Sequence, residues 1–462
     1  IRDRNVTGVQ TCALPILMKT WIKNPAATWT GNQATATNGI VVEGNVITEL
    51  VNGEPTSPVD EIYDAGKCVL LPGLVNCHHH FYQTLTRALP AALNKELFDW
   101  LVTLYPVWAN LDEAAIRAST TTAVCELLLS GCTTTTDHHY VFSDKTLSGI
   151  DIQAEVTERL GIRAILTRGS MSLGQSDGGL PPDDVVQTAD EILKDSERLI
   201  SQFHQTNEGA MLQIALAPCS PFSVTTELMR DSAILAREQG VLLHTHLAET
   251  MDENEFCLEK FGVRPVDYLE QVGWLANDVW LAHGIHFDSQ EINKLGSAGV
   301  AISHCPSSNM ILASGISPVK ELITAGCAVG VGVDGSASND ASNLIQEIRQ
   351  AFLIQRLKYG SVNVSHEDAL HLGTTGGAAL FHRQDIGEIA VGKQADITLF
   401  NLEELRFTGA GDPIAALVLC GAHRAEAVMV AGNWRVKEHQ LIDIDLAQVM
   451  NDQRKAALAI AG

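Results

Sequence analysis

Apolar residues along this chain gather into short runs, and many of those runs end on a histidine or a carboxylate. Strand-length stretches of this kind lie at 69–77, 133–137, 211–218, 241–247, 279–283, 300–304 and 328–334. Between them come longer segments, such as 112–129 and 183–203, whose apolar positions repeat with a helical period. Alternation of this kind predicts a parallel βα architecture. The texture changes at both ends. From Lys19 to Lys67, short strand-like pieces (Trp21-Ile-Lys-Asn, residues 39–47, Val51-Asn-Gly) are separated by turn residues and predict a small antiparallel sheet. The same texture returns at 386–400 and 427–436. The pattern therefore predicts a (β/α)₈ TIM-type barrel over 71–384 and a flanking β-sandwich formed by both chain ends, 18–70 and 385–445. A C-terminal helix is expected over 446–462. Residues 1–17 begin with Ile1 and fit neither a signal sequence nor the strand pattern, so they are read as a non-native extension.

Length and composition agree with this division. A chain of 462 residues accommodates a barrel of roughly 250 residues or more plus a smaller domain. A net charge of −24 speaks against nucleic acid or an anionic membrane as partner, since both reward clustered Lys and Arg. No apolar run approaches the roughly 18 residues of a membrane span. The ten cysteines include no Cys-x-x-Cys pair and several sit inside apolar runs, which suits free thiols in a reducing cytoplasm.

The chemistry collects at the run ends. Residues alternate in direction along a strand, so His78 and His80 converge while His79 faces away into a supporting hydrogen bond. His246 closes another run, with Glu249 three residues on. His283 closes the next, His304 the one after, and Asp334 ends the last. Strand ends are where a (β/α)₈ barrel places its active site. His78, His80, His246 and Asp334 supply three imidazoles and one carboxylate, a set suited to one divalent ion, Zn²⁺ first and Fe²⁺ second, with a position left for water. Asp334 can accept that water's proton, Glu249 can carry a proton to a ring nitrogen, and His283 can polarise the group under attack.

Other residues admit two readings. His138, His139 and Tyr140 either line the pocket or stay in the core. Arg168 either pairs with a substrate carbonyl or anchors a loop, and His304 and Asn309 edge the pocket. Trp100, Trp108 and Trp274 read as core or pocket wall. Two motifs are decoys. Gly330-Val-Gly-Val-Asp-Gly335 matches a dinucleotide fingerprint, but no helix opens directly after it and Gln355 stands where an acid would bind ribose. His366 and His371 are five apart, whereas a zinc-protease helix needs a spacing of four. The His-x-Glu and Pro-Cys-x-x-Cys signature of cytidine-type deaminases is missing.

With these residues in hand, the chain resembles the amidohydrolase superfamily. The resemblance rests on Pro72-Gly-Leu-Val-Asn-Cys-His-His-His80, His246-Leu-Ala-Glu249, Ala282-His283-Gly, Ser303-His-Cys-Pro-Ser-Ser-Asn309 and Val333-Asp334-Gly-Ser. It implies metal ligands at His78, His80, His246 and Asp334, and a catalytic pair at Glu249 and His283. Many relatives bridge two metals with a lysine from the fourth strand. No lysine occurs between Lys194 and Lys260, so the chain is similar to the one-metal deaminase branch. There His80-Phe-Tyr-Gln83 implies that Gln83 contacts a purine; Arg168, His283 and His304 are expected as further substrate contacts from their places at the run ends. The implied reaction is hydrolysis of 8-oxoguanine to urate and ammonia, with attack at C2. Guanine, isoguanine, adenosine-type nucleosides and chlorinated triazines are the alternative substrates. The resemblance also implies a homo-oligomer with a small-molecule purine substrate. A barrel kept only as a scaffold would have no use for Glu249 and His283 together.

Overall fold

The computed structural model describes residues 18–461, so the extension expected at 1–17 lies outside the described residues. Eight parallel strands close into a barrel: β1 (Leu74–Asn76), β2 (Cys132–His139), β3 (Arg163–Ser170), β4 (Leu212–Pro218), β5 (Leu243–Leu247), β6 (Val279–His283), β7 (Ala301–His304) and β8 (Val329–Val331). The register of β8 on β1, Val331 opposite Asn76, completes the ring. Asn76 reinforces that seam. Its amide donates to Thr135 Oγ1 on β2 at 3.0 Å and accepts from Val333 N beyond β8 at 2.9 Å. All eight residues of β2 are buried, and of its four threonines Thr135 and Thr136 donate their hydroxyls to backbone carbonyls.

The helix Glu113–Leu129 starts where Asp112 caps it, its carboxylate accepting from Ala115 N at 2.8 Å. The expected helix over 183–203 is shorter. Residues Asp183–Val185 form only a 3₁₀ turn, and the helix Ala189–Phe203 begins at a capping box between Thr188 and Glu191.

The flanking domain is two packed sheets. One has four strands, in the order Val46–Leu50, Gly39–Glu43, Lys19–Lys23, Glu61–Asp64. It is mixed rather than wholly antiparallel, because Lys19–Lys23 pairs parallel with Glu61–Asp64. The other has seven strands and joins both chain ends: Ile397–Asn401 pairs with Cys68–Pro72, and Ala427–Val430 and Asn433–Lys437 follow as a hairpin. Ile22, Ile40, Val42, Leu70, Ile397 and Met429 belong to the buried cluster between the sheets. Of the stretch expected to be extended at 386–400, only the part from Ile397 on forms a strand.

The chain passes from sandwich to barrel at Gly73. A Cβ there would lie 2.0 Å from the Thr133 hydroxyl, so only glycine allows β1 to start beside β2. An aromatic cluster closes the mouth of the barrel. It contains Trp100, Leu104, Tyr105 and Trp108 of the helix Leu97–Trp108, together with Tyr82 and Phe222. Ile460 of the C-terminal helix Leu446–Ala461 packs into the same cluster. Among the described residues no helix is long and apolar enough to cross a membrane. The nine described cysteines are free, and all but Cys420 are buried.

Candidate active site

β1 runs out at Asn76, and the extended residues after it send His78 and His80 one way and His79 the other. His79 Nε2 pairs with Ser342 Oγ at 2.9 Å behind the site. His80 Nε2 comes within 3.2 Å of His246 Nε2, and Asp334 Oδ1 lies 3.3 Å from His78 Nε2 and 3.4 Å from His80 Nε2. Burial holds His78, His80 and His246 below their ordinary pKa, so all three are neutral imidazoles. Asp334 is held well below its ordinary value although burial opposes ionisation; among its neighbours His283, whose own pKa is raised, can carry a charge that favours the carboxylate. Its Oδ1 also accepts from Gly335 N at 2.6 Å.

The outer hydrogen bonds fix which ring nitrogen of each histidine is bare. A backbone carbonyl can only accept. His80 Nδ1 lies 2.7 Å from His138 O, and His246 Nδ1 lies 2.7 Å from Cys219 O, so each Nδ1 carries the proton. Their Nε2 lone pairs then face each other across 3.2 Å. His78 is set through a relay. His244 Nδ1 donates to Trp280 O at 2.9 Å, which leaves His244 Nε2 to accept from His78 Nδ1, also at 2.9 Å. His78 Nε2 is therefore bare, buried and without a protein partner. Three converging lone pairs beside a carboxylate repel one another unless a cation lies among them, and tautomers fixed from outside are what metal-ligating histidines require. The residues present fit a divalent metal.

His138 joins this group. Its Nε2 donates to Ala217 O at 2.9 Å, its Nδ1 has no partner, and its ring stacks on His246 at 4.8 Å. Among the described residues the ring nitrogens of His78, His80, His138 and His246 form one potential metal-holding group, and His78, His283 and Asp334 another. β4 places no lysine near them.

Beside the ligands stand two further groups. Glu249 Oε2 lies 3.4 Å from His283 Nε2, and His283 Nδ1 donates to Asn309 Oδ1 at 2.9 Å. Burial pushes the Glu249 carboxyl up to about 7, so near neutrality it can hold a proton. Burial alone would keep His283 neutral, but Glu249 and Asp334 raise its pKa. A cavity opens over these groups. Gln83, Trp100, Tyr105, Tyr140, Phe222 and Leu312 are among its walls. The amide of Gln83 reaches it because position 335 is glycine; a Cβ there would lie 1.9 Å from Gln83 Oε1.

Two expected substrate contacts are corrected. Arg168 does not line the cavity. Its guanidinium is buried in bonds to Asp195 Oδ2 (2.7 Å), Gly169 O (2.5 Å) and Gln187 Oε1 (2.8 Å), stacked on Phe142. It ties β3 to the helix Ala189–Phe203. His304 is buried one layer below, its Nε2 3.2 Å from Gln355 Nε2, and is not part of the lining. His139 also leaves the site and packs on Phe142. Trp100 forms wall, Trp108 packs behind it with ring centroids 5.5 Å apart, and Trp274 lies in the core. Sequence reasoning missed His244 and Tyr105. His244 carries the alternation signal, two residues before His246 on the same strand face, and that spacing would have found it.

Comparison with known proteins agrees with this geometry. The family model described as "Amidohydrolase family" matches residues 69–435. The chain belongs to the amidohydrolase family. An 8-oxoguanine deaminase of Pseudomonas aeruginosa is 57% identical over 446 residues, covering 96% of this chain and 99% of that protein. An isoxanthopterin deaminase from an unknown prokaryotic organism is 33% identical over 463 residues, covering 94% and 96% of the two chains. Among solved structures, an atrazine chlorohydrolase from Arthrobacter aurescens complexed with zinc superposes with a TM-score of 0.90 at 30% identity, covering 95% of this chain and 100% of that one. The barrel flanked by sheets and the amidohydrolase resemblance expected from sequence both hold.

Proposed function

We propose that this amidohydrolase deaminates 8-oxoguanine to urate and ammonia with the consumption of one water. The observation that carries the chemistry is the Glu249–His283 pair set against a bare, converging ligand set. A divalent ion held by His78, His80, His246 and Asp334 would acidify a water and supply the nucleophile. The rest falls to this chain's own side chains. Asp334, ionised and 3.8 Å from His283 Nε2, is placed to take the water's proton. Glu249, poised near neutrality, gives a proton to the ring nitrogen next to C2, which makes that carbon electrophilic. His283, held by Asn309, orients the attack, and the exocyclic amine leaves as ammonia.

The wall supports a flat, uncharged heterocycle. Its aromatic and aliphatic members offer ring-stacking area, and no Lys or Arg is among the lining residues to take a phosphate. Gln83 presents a buried amide oxygen without a partner, fit for a ring N–H or amine. The choice among heterocycles is supported by the near-complete match to the Pseudomonas aeruginosa deaminase. Zinc suits the donor set and is the ion in the Arthrobacter aurescens structure. The buried free thiols support a reducing cytoplasm.

Initial rates on 8-oxoguanine, guanine, isoguanine, an adenosine-type nucleoside and a chlorinated triazine test this reading. The expected result is the highest kcat/KM on 8-oxoguanine, with urate and ammonia formed in equal amounts. A clear preference for any other member overturns it.

A further inference from the structure

Some polar atoms in the cavity wall away from the reacting groups are already engaged. Trp100 Nε1 donates to Ala337 O at 3.2 Å, and Ser338 Oγ donates to Gly335 O at 3.2 Å. Two are not. Gln83 Oε1 is one, and the Tyr105 hydroxyl is the other: it is buried, the residue is only 1% exposed, and the oxygen has no hydrogen-bond partner in the protein.

A buried hydroxyl without a partner is costly, so its retention at the cavity wall calls for a partner that arrives with the substrate. Leu97, Leu101, Phe222 and Leu312 make much of this wall apolar. Burial drives the phenol far above its ordinary pKa, so it stays a neutral O–H donor. Its backbone is fixed by the helix Leu97–Trp108, and its ring is held against Trp108 with centroids 5.9 Å apart, so it cannot swing to solvent to satisfy itself.

We propose that Tyr105 is a specificity-determining residue whose hydroxyl donates to a ring nitrogen or carbonyl oxygen of the bound heterocycle. With Gln83 Oε1 it forms a complementary pair, one acceptor and one donor, matching a ring system that presents both an N–H and an unprotonated heteroatom on its edges. Such a pair selects oxo-purines over apolar or fully alkylated rings, because a substrate without the acceptor leaves the phenol buried and unpaired. The proposal rests on the deaminase reading of this site, but it concerns recognition and not the reacting centre.

The test is Tyr105→Phe, which removes one oxygen and keeps the ring that packs on Trp108. On 8-oxoguanine, KM and the inhibition constant of the product urate should both rise about tenfold. The kcat, metal content and melting temperature should stay within twofold or a few degrees of the parent. KM and the urate inhibition constant unchanged within twofold overturn the proposal, as does a fall in kcat alone. If the parent enzyme ignores 8-oxoguanine, the deaminase substrate reading has failed. The same KM and product-inhibition comparison is then made on whichever panel member it does convert, and an unchanged Tyr105→Phe there overturns this inference separately.

Discussion

His244 holds no metal in this geometry, yet its replacement should weaken metal binding. The Phe variant isolates the effect. The His244 ring stacks on Trp280 with centroids 4.3 Å apart and planes 13° from parallel, a contact that a phenyl ring keeps. What it loses is the acceptor for His78 Nδ1 and the donor to Trp280 O, both at 2.9 Å. His78 would then lack the one partner that pins its proton on Nδ1. Part of the population would place the proton on Nε2, where it blocks ligation. Outer partners of metal-bound histidines are typically worth 10–100-fold in affinity, or about 1.4–2.7 kcal/mol. The assay is competition of the apoprotein against a chromophoric chelator across a zinc series, with metal content measured after dialysis. His246→Ala, which deletes a ligand, should lose more than His244→Phe on the same scale. A His244→Phe protein with parental affinity and full occupancy would refute the relay and leave His78 oriented by packing alone.

Glu249→Gln should keep fold and metal and lower kcat by roughly 10²–10⁴-fold, because its amide cannot deliver the proton; normal turnover at full metal occupancy would sink the assignment. Arg168→Ala should leave KM unchanged and lower stability by about 2 kcal/mol in a denaturant titration, less than for a fully buried pair because Asp195 keeps some solvent. A raised KM at unchanged stability would return Arg168 to the pocket. For the metal-free protein, burial raises Glu253 to about 8. A folded value above the unfolded one stabilises the protein below the ordinary carboxyl range, and that stability is lost as pH rises toward 8. The unfolding free energy should therefore fall between pH 5 and 7 by an amount on the order of 2 kcal/mol from this group, and Glu253→Gln should flatten that fall; an equally steep profile in the variant would show that other groups carry it.

The convergence of His78, His80, His246 and Asp334 was legible because strand alternation is a local rule. His78 and His80 need only a period of two, and each remaining ligand ends its own apolar run, so tertiary structure merely closes a ring already phased. Arg168 and His304 were misread for the opposite reason. A charged or titratable residue at the end of a strand looks functional until its partner is known, and the partners lie on helices whose docking no local pattern encodes: Asp195 on Ala189–Phe203 and Gln355 on Leu344–Tyr359. Tyr105 was hidden more deeply. Its helix reads as amphipathic wall, and only the fold shows that one hydroxyl among its buried rings is left unpaired. The sandwich was visible as strand texture, but the parallel pairing of Lys19–Lys23 with Glu61–Asp64 was not, since a period of two is the same in either direction.

The backbone explains why the reacting groups can stand so close. Three non-glycine residues at the site adopt left-handed conformations: Ala248 at φ 53°, His283 at φ 71° and Asp334 at φ 63°. Each costs on the order of 1–2 kcal/mol, and each comes where a strand must stop and turn its side chain, or the next one, over the mouth of the barrel. The turns are held from several sides. Ile285 N and His286 N donate to Ala248 O at 2.9 and 3.0 Å, and Glu253 accepts from Glu249 N at 3.2 Å. Asp334 N donates to His78 O at 3.1 Å, and Asn339 donates to Val333 O at 2.6 Å. So the turn that carries Asp334 is bonded directly to the segment that carries His78, while Glu249 is fixed by the Glu253 carboxylate on the helix Met251–Phe261 that follows it. The groups proposed to hold the metal and those proposed to move the proton are thus held by different hydrogen bonds, and they approach one another at Asp334 and His283. Disturbing Glu253 should therefore act on Glu249 and spare the ligands, whereas disturbing His244 acts on the ligands and spares the proton.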